Sequence, residues 1–344
     1  MSYLNSKYIF TSLCRISDFQ EKPFQIAPLE QKNWATGDYV LVKVTAPKGG
    51  YRAELHNGRM MEVMEADLLI GALGHRYATL EATGSWKETG IDGNMHLLTG
   101  AGLIGKVTSK SFLLSSLIEV KYVGHMFRHK TKINMNDFVP VLERKKLNIP
   151  VVLIVGTSMS SGKTTAARII TRLLAKNSYT VVGAKLSGAG RYRDILSVKD
   201  AGASYIFDFV DVGLPSTIAP EEEYLPKIRT LISMIANTDA DVAVVEIGSS
   251  PLEPYNGNLA IRSIAKHIKC VVLCASDPYA VYGVMKSFNM RPNVVSGPAT
   301  NTLGGKDLIE KLCGVKAMNI IDPSEWPELS EILLRRLELE TTAA

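Results

Sequence analysis

Gly162-Lys163-Thr164-Thr165, set behind the small-residue run Thr157-Ser158-Met159-Ser160-Ser161, combines the groups that polyphosphate chemistry requires. Successive backbone N–H groups at a helix start cradle phosphate oxygens, and only small residues let a phosphate come close. A lysine at this point reaches the β and γ phosphates, and the next hydroxyl joins the shell of a Mg²⁺ ion. Gly156 to Thr165 are therefore the candidate nucleotide-binding residues, with Lys163 on the phosphates and Thr164 on the metal. The run departs from G-x-x-x-x-G-K-[ST] at one place: Thr157 stands at the first glycine, with Gly156 one residue earlier.

Two further charges sit where such a loop can use them. Lys185 ends the apolar run Val182-Gly183-Ala184, and Glu246 ends Val244-Val245. Glu246 is a candidate Mg²⁺ ligand, direct or through water, and Asp200 in VKDAGA is a second. Each residue also suits a plainer role: Lys185 as a solvated strand end, Glu246 as a helix cap or ion-pair partner, Asp200 as a helix start.

The elements that must hold these groups are legible as periodicity. Val151 to Val155 read as a buried strand, and Ala166, Ile169, Ile170, Leu173 and Leu174 make one apolar helix face. Strand-like runs recur at TVVGAK, SYIFDFVDV, VAVVEIG, CVVLCAS and NVVSG, with helical stretches between most of them. That alternation predicts an α/β domain with a mostly parallel sheet covered on both faces, whose ligands bind beyond the carboxyl ends of the strands. Before residue 140 the pattern is instead short β runs: YVLVKVT at 39–45, YRAELHNGRMMEV at 51–63, ADLLIGAL, YATLEATG at 77–84, HLLTGAGLIGKV at 96–107 and SFLLSSLIEVKYVG. The second reads as a hairpin turning at Asn57-Gly58. A small barrel or sandwich closes that many strands. The polar stretch from Glu143 to Pro150 reads as a linker, so the predicted division is a smaller β-rich domain over 1–147 and a P-loop α/β domain over 148–344.

The chain's 344 residues are 46% hydrophobic, enough for two cores. No run has the length of a membrane helix, and MSYLNSKYIF lacks the features of a secretory signal, so a cytoplasmic protein without a membrane partner is expected. Cys14, Cys270, Cys274 and Cys313 are sparse and read as reduced core thiols. The net charge of +5 lies wholly in residues 1–149, with 19 Lys+Arg against 14 Asp+Glu, and 20 against 20 in the rest. That bias suits an anionic substrate or a solvated face; without a base-stacking aromatic pattern it does not point to nucleic acid. In the β-rich domain, His75 and Arg76, the run from Gly100 to Gly105, and the pair His125 and His129 are the segments that could meet a ligand or a metal.

The order of these motifs resembles the dethiobiotin synthetase and cobyric acid synthase superfamily of P-loop enzymes. Its loop, G-T-x-x-x-x-G-K-T, is how Gly156 to Thr164 stand, Thr157 included. Its G-x-K-P-x-x-[ST]-G segment is matched by Gly183, Lys185, Ser187 and Gly188, with Leu186 in place of proline. Asp200 matches its metal-binding aspartate. Glu246 to Ser250 resembles its E-G-x-G-G segment, keeping only Gly248, and Pro215-Ser216-Thr217 resembles a substrate-side turn. The likeness covers roughly residues 151–320 and is closest to an uncharacterised branch carrying a different N-terminal domain.

The resemblance implies phosphoryl transfer from ATP to a small carboxylate or carbamate, giving an anhydride that an amine or hydroxyl attacks, as in a ligase. It places Lys185, Ser187, Gly188, Ser216 and Ser249 at the substrate, Thr164, Asp200 and Glu246 on Mg²⁺, and Lys163, Lys185 and Glu246 in catalysis. Guanine readers of the superfamily usually carry N-K-x-D; none follows the loop here, which favours ATP, and the run from Val294 to Asn301 occupies the place where relatives bind adenine, through Asn301 or the backbone near Ser296, though it also suits a plain polar turn capped by Asn301. The alternatives are a small-molecule kinase, or a nucleotide-dependent switch whose β domain binds a partner. A homodimer would be in keeping with the relatives.

Overall fold

The structure is a computed structural model that describes residues 7–47 and 52–339. Tyr51, which opens the expected hairpin, and the first six residues of MSYLNSKYIF lie outside the described residues. The described chain forms two compact units. Residues up to Val141 join Ala189–Arg193 and Phe209–Pro220 in one; Leu142–Gly188, Asp194–Asp208 and the residues from Glu221 onward form the other.

The first unit is a closed barrel. Leu68–Leu73 pairs with Tyr39–Ala46, that strand with Glu119–Arg128, then Asn94–Thr99, then Leu103–Lys110, which returns in parallel to Leu68–Leu73. Closure removes the free edges that a sandwich would expose. Val40, Val42 and Val44 alternate inward with the two-residue strand period and meet Leu69, Leu97, Ile104 and Val120 in the barrel core. The hairpin at Asn57-Gly58 is present as Ala53–Glu54 against Met60–Met61. YATLEATG, read as one strand, is two: His75–Tyr77 and Ala82–Ser85 pair antiparallel across a tight reversal, with Ala78 N donating to Ala82 O. HLLTGAGLIGKV likewise divides into Asn94–Thr99 and Leu103–Lys110.

Asp38, inside this unit, is fully buried. It accepts from Lys132 Nζ at 2.7 Å, Asn134 Nδ2 at 2.9 Å and Ala35 N at 2.7 Å, and His125 Nε2 lies 3.4 Å away. Burial works to raise its pKa, but the nearby His125 imidazole and the bonds from Lys132, Asn134 and Ala35 together hold it below the ordinary carboxylate value. A depressed folded pKa contributes stability that is complete above the unfolded value and is lost as pH falls through the folded one. Asp38→Asn should therefore cost about 1.5–3 kcal/mol at neutral pH, the worth of a charge-assisted hydrogen bond. The gap to the parent chain should close below about pH 4. Denaturant melts at both pH values check this, and a gap independent of pH would contradict it.

The second unit is a six-stranded parallel sheet. Its order is Tyr205–Asp208, Val181–Ser187, Val242–Ile247, Val151–Gly156, Ile268–Cys274, Val294–Ser296. The four runs over 151–156, 181–187, 242–247 and 294–296 are buried at every position, as strands covered on both faces must be. Helix Lys163–Lys176 follows the strand Val151–Gly156, burying Ala166, Ala167, Ile170, Leu173 and Leu174. Together with the loop between them this is the P-loop NTPase fold, α/β throughout, preceded in the chain by the β-rich barrel.

Candidate functional site

The loop after Val151–Gly156 sits at the carboxyl end of the strand that lies between Val242–Ile247 and Ile268–Cys274. Thr157 replaces the first glycine without breaking the turn. Its N–H donates to Cys274 O at 3.0 Å, and its Oγ1 accepts from Ser276 N at 3.1 Å, tying the loop to the neighbouring strand's exit. Ser160 and Gly162 take left-handed φ values of +58° and +97°, and helix Lys163–Lys176 begins directly after Gly162. Gly297, from the turn after Val294–Ser296, closes over this loop with φ +92°. A Cβ there would stand 2.3 Å from Ser161 O, so only glycine fits.

Lys163 is buried, and its Nζ donates to Ser158 O at 2.6 Å, lying 3.5 Å from Ser161 Oγ. Burial pushes its pKa down, against the pull of Glu246. The ammonium thus rests on a loop carbonyl, and a phosphate would supply the counter-charge that a carbonyl cannot. Thr164 Oγ1 donates to Glu246 Oε2 at 3.2 Å. These two oxygens are the hard donors that suit Mg²⁺, which keeps several waters and takes its remaining ligands from phosphates. Ser158, Met159, Ser160, Ser161 and Thr165 line the loop and the first helical turn as their sequence positions require.

Beside this pair, register does what spacing along the chain does not show. Asp208, Lys185 and Glu246 occupy matched positions on three adjacent parallel strands. Lys185 is buried, and its Nζ donates to Asp194 Oδ2 at 2.6 Å and lies 3.9 Å from Glu246 Oε1. Burial opposes its charge, but Asp194, Glu246 and Asp208 more than offset that and hold its pKa above the ordinary lysine range. Ser187 Oγ donates to Gly248 O at 2.7 Å, and Gly188 and Gly248 lie against the Lys185 side chain. Ser249 and Ser250 are buried in the turn that follows, where Ser250 N donates to Glu253 Oε2 at 2.7 Å.

The remaining expected site residues have the following surroundings. Asp200 is exposed on the last turn of helix Tyr192–Asp200, while Asp194 in its first turn makes the bond to Lys185. The two acids lie six positions apart, about 9 Å along the helix axis. Asp194 escapes a sequence reading because an acid in a first helical turn reads as a cap. The cue to Asp208 is its place at the end of SYIFD, level with other strand ends. Ser216 belongs to the first unit, where it bridges to Ala189 and is fully buried. Asn301 is exposed at the end of the turn Pro298–Thr300.

In the first unit, His75 bonds Thr36 Oγ1 and Ser85 Oγ, and burial lowers its pKa to about 4. Arg76 is buried against Leu98 O and Glu81. Both are occupied in holding strands together. His125 is a buried strand residue bonded to Tyr122 Oη, whereas His129 lies in the turn beyond with φ +48°, so the pair does not share a helix face. Cys270 and Cys274 are buried free thiols whose pKa burial raises to about 12. No described helix is long and apolar enough to cross a membrane.

No protein-family model matches the chain, and no curated protein does. Among solved structures, chloroplast FtsY from Physcomitrella patens is similar at 15% identity and a TM-score of 0.38, covering 56% of this chain and 67% of that one. HypB, a hydrogenase maturation factor from Archaeoglobus fulgidus, is similar at 17% identity and 0.38, over 55% and 90%. The 54 kDa signal recognition particle protein of Aeropyrum pernix, in complex with GDP, is similar at 17% identity and 0.35, over 58% of this chain and half of its own length.

Proposed function

We propose that the P-loop unit is a Mg²⁺-dependent switch that binds and hydrolyses a nucleoside triphosphate, ATP by the absence of an N-K-x-D segment after the loop. The observation that carries this reading is the double engagement of Lys185. One cation bridges Glu246, the acid bonded to Thr164, and Asp194, which opens helix Tyr192–Asp200.

Lys163 would bind the β and γ phosphates, leaving Ser158 O for a stronger, charged partner. A γ-phosphate would also compete with Asp194 for Lys185, and its departure would return Lys185 to Asp194. The helix would then have different partners in the two nucleotide states, which is the differential interaction a ligand needs to shift a conformational equilibrium. Mg²⁺ held by Thr164 and Glu246 would neutralise charge on the phosphate oxygens. Transfer to water asks the protein for positioning and electrostatics rather than for a nucleophilic side chain.

Hydrogen exchange over helix Tyr192–Asp200 with ATP analogue and with ADP tests this. Protection should differ between the two states, and Asp194→Asn should erase the difference while leaving nucleotide affinity within about threefold, an effect under about 1 kcal/mol. Equal protection in both states of the parent chain would sink the switch. A second reading has support in the two buried ammonium groups, Lys163 and Lys185, that act on each other beside Glu246. Such a pair suits transfer of the phosphoryl group to a small carboxylate or carbamate. Hydroxylamine trapping of an acyl phosphate, formed from ATP and an added acid, would favour that reading.

A further inference from the structure

Within the first unit, Arg52, Arg191 and Arg193 converge on a cleft of about 380 Å³. Arg52 enters at the hairpin Ala53–Glu54, and the other two from the segment Ala189–Arg193. Gly100, from the glycine-bearing run after strand Asn94–Thr99, forms part of the wall, and its carbonyl is fixed by Glu54 N at 2.7 Å. Ser115, an exposed residue, also lines the cleft.

Among the described residues one acid lines this cleft, and it is already occupied. Glu54 is 1% exposed; its Oε2 accepts from Ser12 Oγ at 2.5 Å and Tyr192 N at 2.8 Å, and its Oε1 from Arg193 N at 2.8 Å. Three guanidinium groups against one carboxylate leave an excess of two positive charges. The Arg191 and Arg193 guanidinium groups have no hydrogen-bond or ion-pair partner among the described residues. Arg52 has one, Glu62 at 2.9 Å, but both side chains are more than half exposed, and a pair so solvated is easily exchanged.

We propose that this cleft binds a small molecule carrying two or more oxyanion groups, phosphate or carboxylate. Guanidinium forks match either group through paired N–H donors, and three of them around one opening clamp a polyanion better than lysines would. The volume is that of a small-molecule site, near the lower end of the usual range. Binding here is independent of what the phosphate loop does with its nucleotide.

Calorimetric titration of the full chain tests it, with inorganic pyrophosphate and citrate as probes at ionic strength matched by sodium chloride. Lys163→Ala is placed in every sample so that the phosphate loop contributes no signal. At least one probe should bind saturably at one site: pyrophosphate alone marks a phosphate ligand, citrate alone a carboxylate ligand, and both the shared oxyanion chemistry. Arg191→Ala with Arg193→Ala should weaken binding about 100-fold, about tenfold for each charge-assisted hydrogen bond removed. Arg191→Lys with Arg193→Lys keeps the charge without the fork and should lose less, which guards against a folding defect in the alanine pair. Binding of neither probe, or binding unchanged in both double variants, would overturn the proposal.

Discussion

Lys163→Ala should weaken nucleotide binding at least ~100-fold. The Nζ group is buried, donates to Ser158 O and has its pKa lowered by burial, so a phosphate would supply the counter-charge that a loop carbonyl cannot. A charge-assisted hydrogen bond contributes about 1.5–3 kcal/mol, and two phosphates reached by one lysine make a loss of about 3 kcal/mol or more, at least ~100-fold in affinity. Ligand at about 100 times its dissociation constant stabilises the native state by about 2.7 kcal/mol; a roughly 100-fold weaker site at the same concentration leaves about 0.4 kcal/mol. Thermal melts with and without ATP and Mg²⁺ read that difference. Lys163→Met, which fills the same space without charge, should behave alike. Full stabilisation in either variant would remove the loop from the nucleotide site.

Glu246→Gln should have the next largest effect, and on a different quantity. Its Oε2 meets Thr164 Oγ1 at 3.2 Å and its Oε1 lies 3.9 Å from Lys185 Nζ, so one carboxylate serves both the metal-side hydroxyl and the buried cation. Glutamine preserves the shape and the bond from Thr164 while removing the charge. Phosphate release should fall about 10²–10³-fold, the usual cost of losing one preorganised electrostatic group. Nucleotide stabilisation measured without Mg²⁺ should persist, and its increase on adding Mg²⁺ should disappear. An unchanged Mg²⁺ response would move the metal away from Glu246.

The contrast between Asp200 and Asp194 shows where sequence reading ran out. Both acids lie on one short helix, six positions apart, and sequence alone weighs them by distance from the loop and by likeness to a motif. The fold weighs them by helix phase and rise: Asp194 meets Lys185, while Asp200 is carried around the helix and about 9 Å onward into solvent. Thr157 is the opposite case. Its departure from the glycine pattern is visible in the sequence, and the structure shows its hydroxyl making a bond to Ser276 N that glycine could not. His75 and Arg76 look like reachable polar groups in a turn, yet they are held by Thr36, Ser85, Leu98 and Glu81, and strand pairing is what brings most of these partners near.

The phosphate loop, the strand before it, the helix after it, and the change from β runs to strand–helix alternation all follow from the order of residues. These depend on local properties: hydrophobic period, small residues at a tight turn, and a lysine and hydroxyl beside a helix start. It took the folded chain to close the N-terminal strands into a barrel, to set Asp208, Lys185 and Glu246 in one row, and to bring Arg52 into a cleft with Arg191 and Arg193. Those outcomes depend on register and chain closure, which fix the proximity of residues far apart in sequence and leave no periodic trace in either segment.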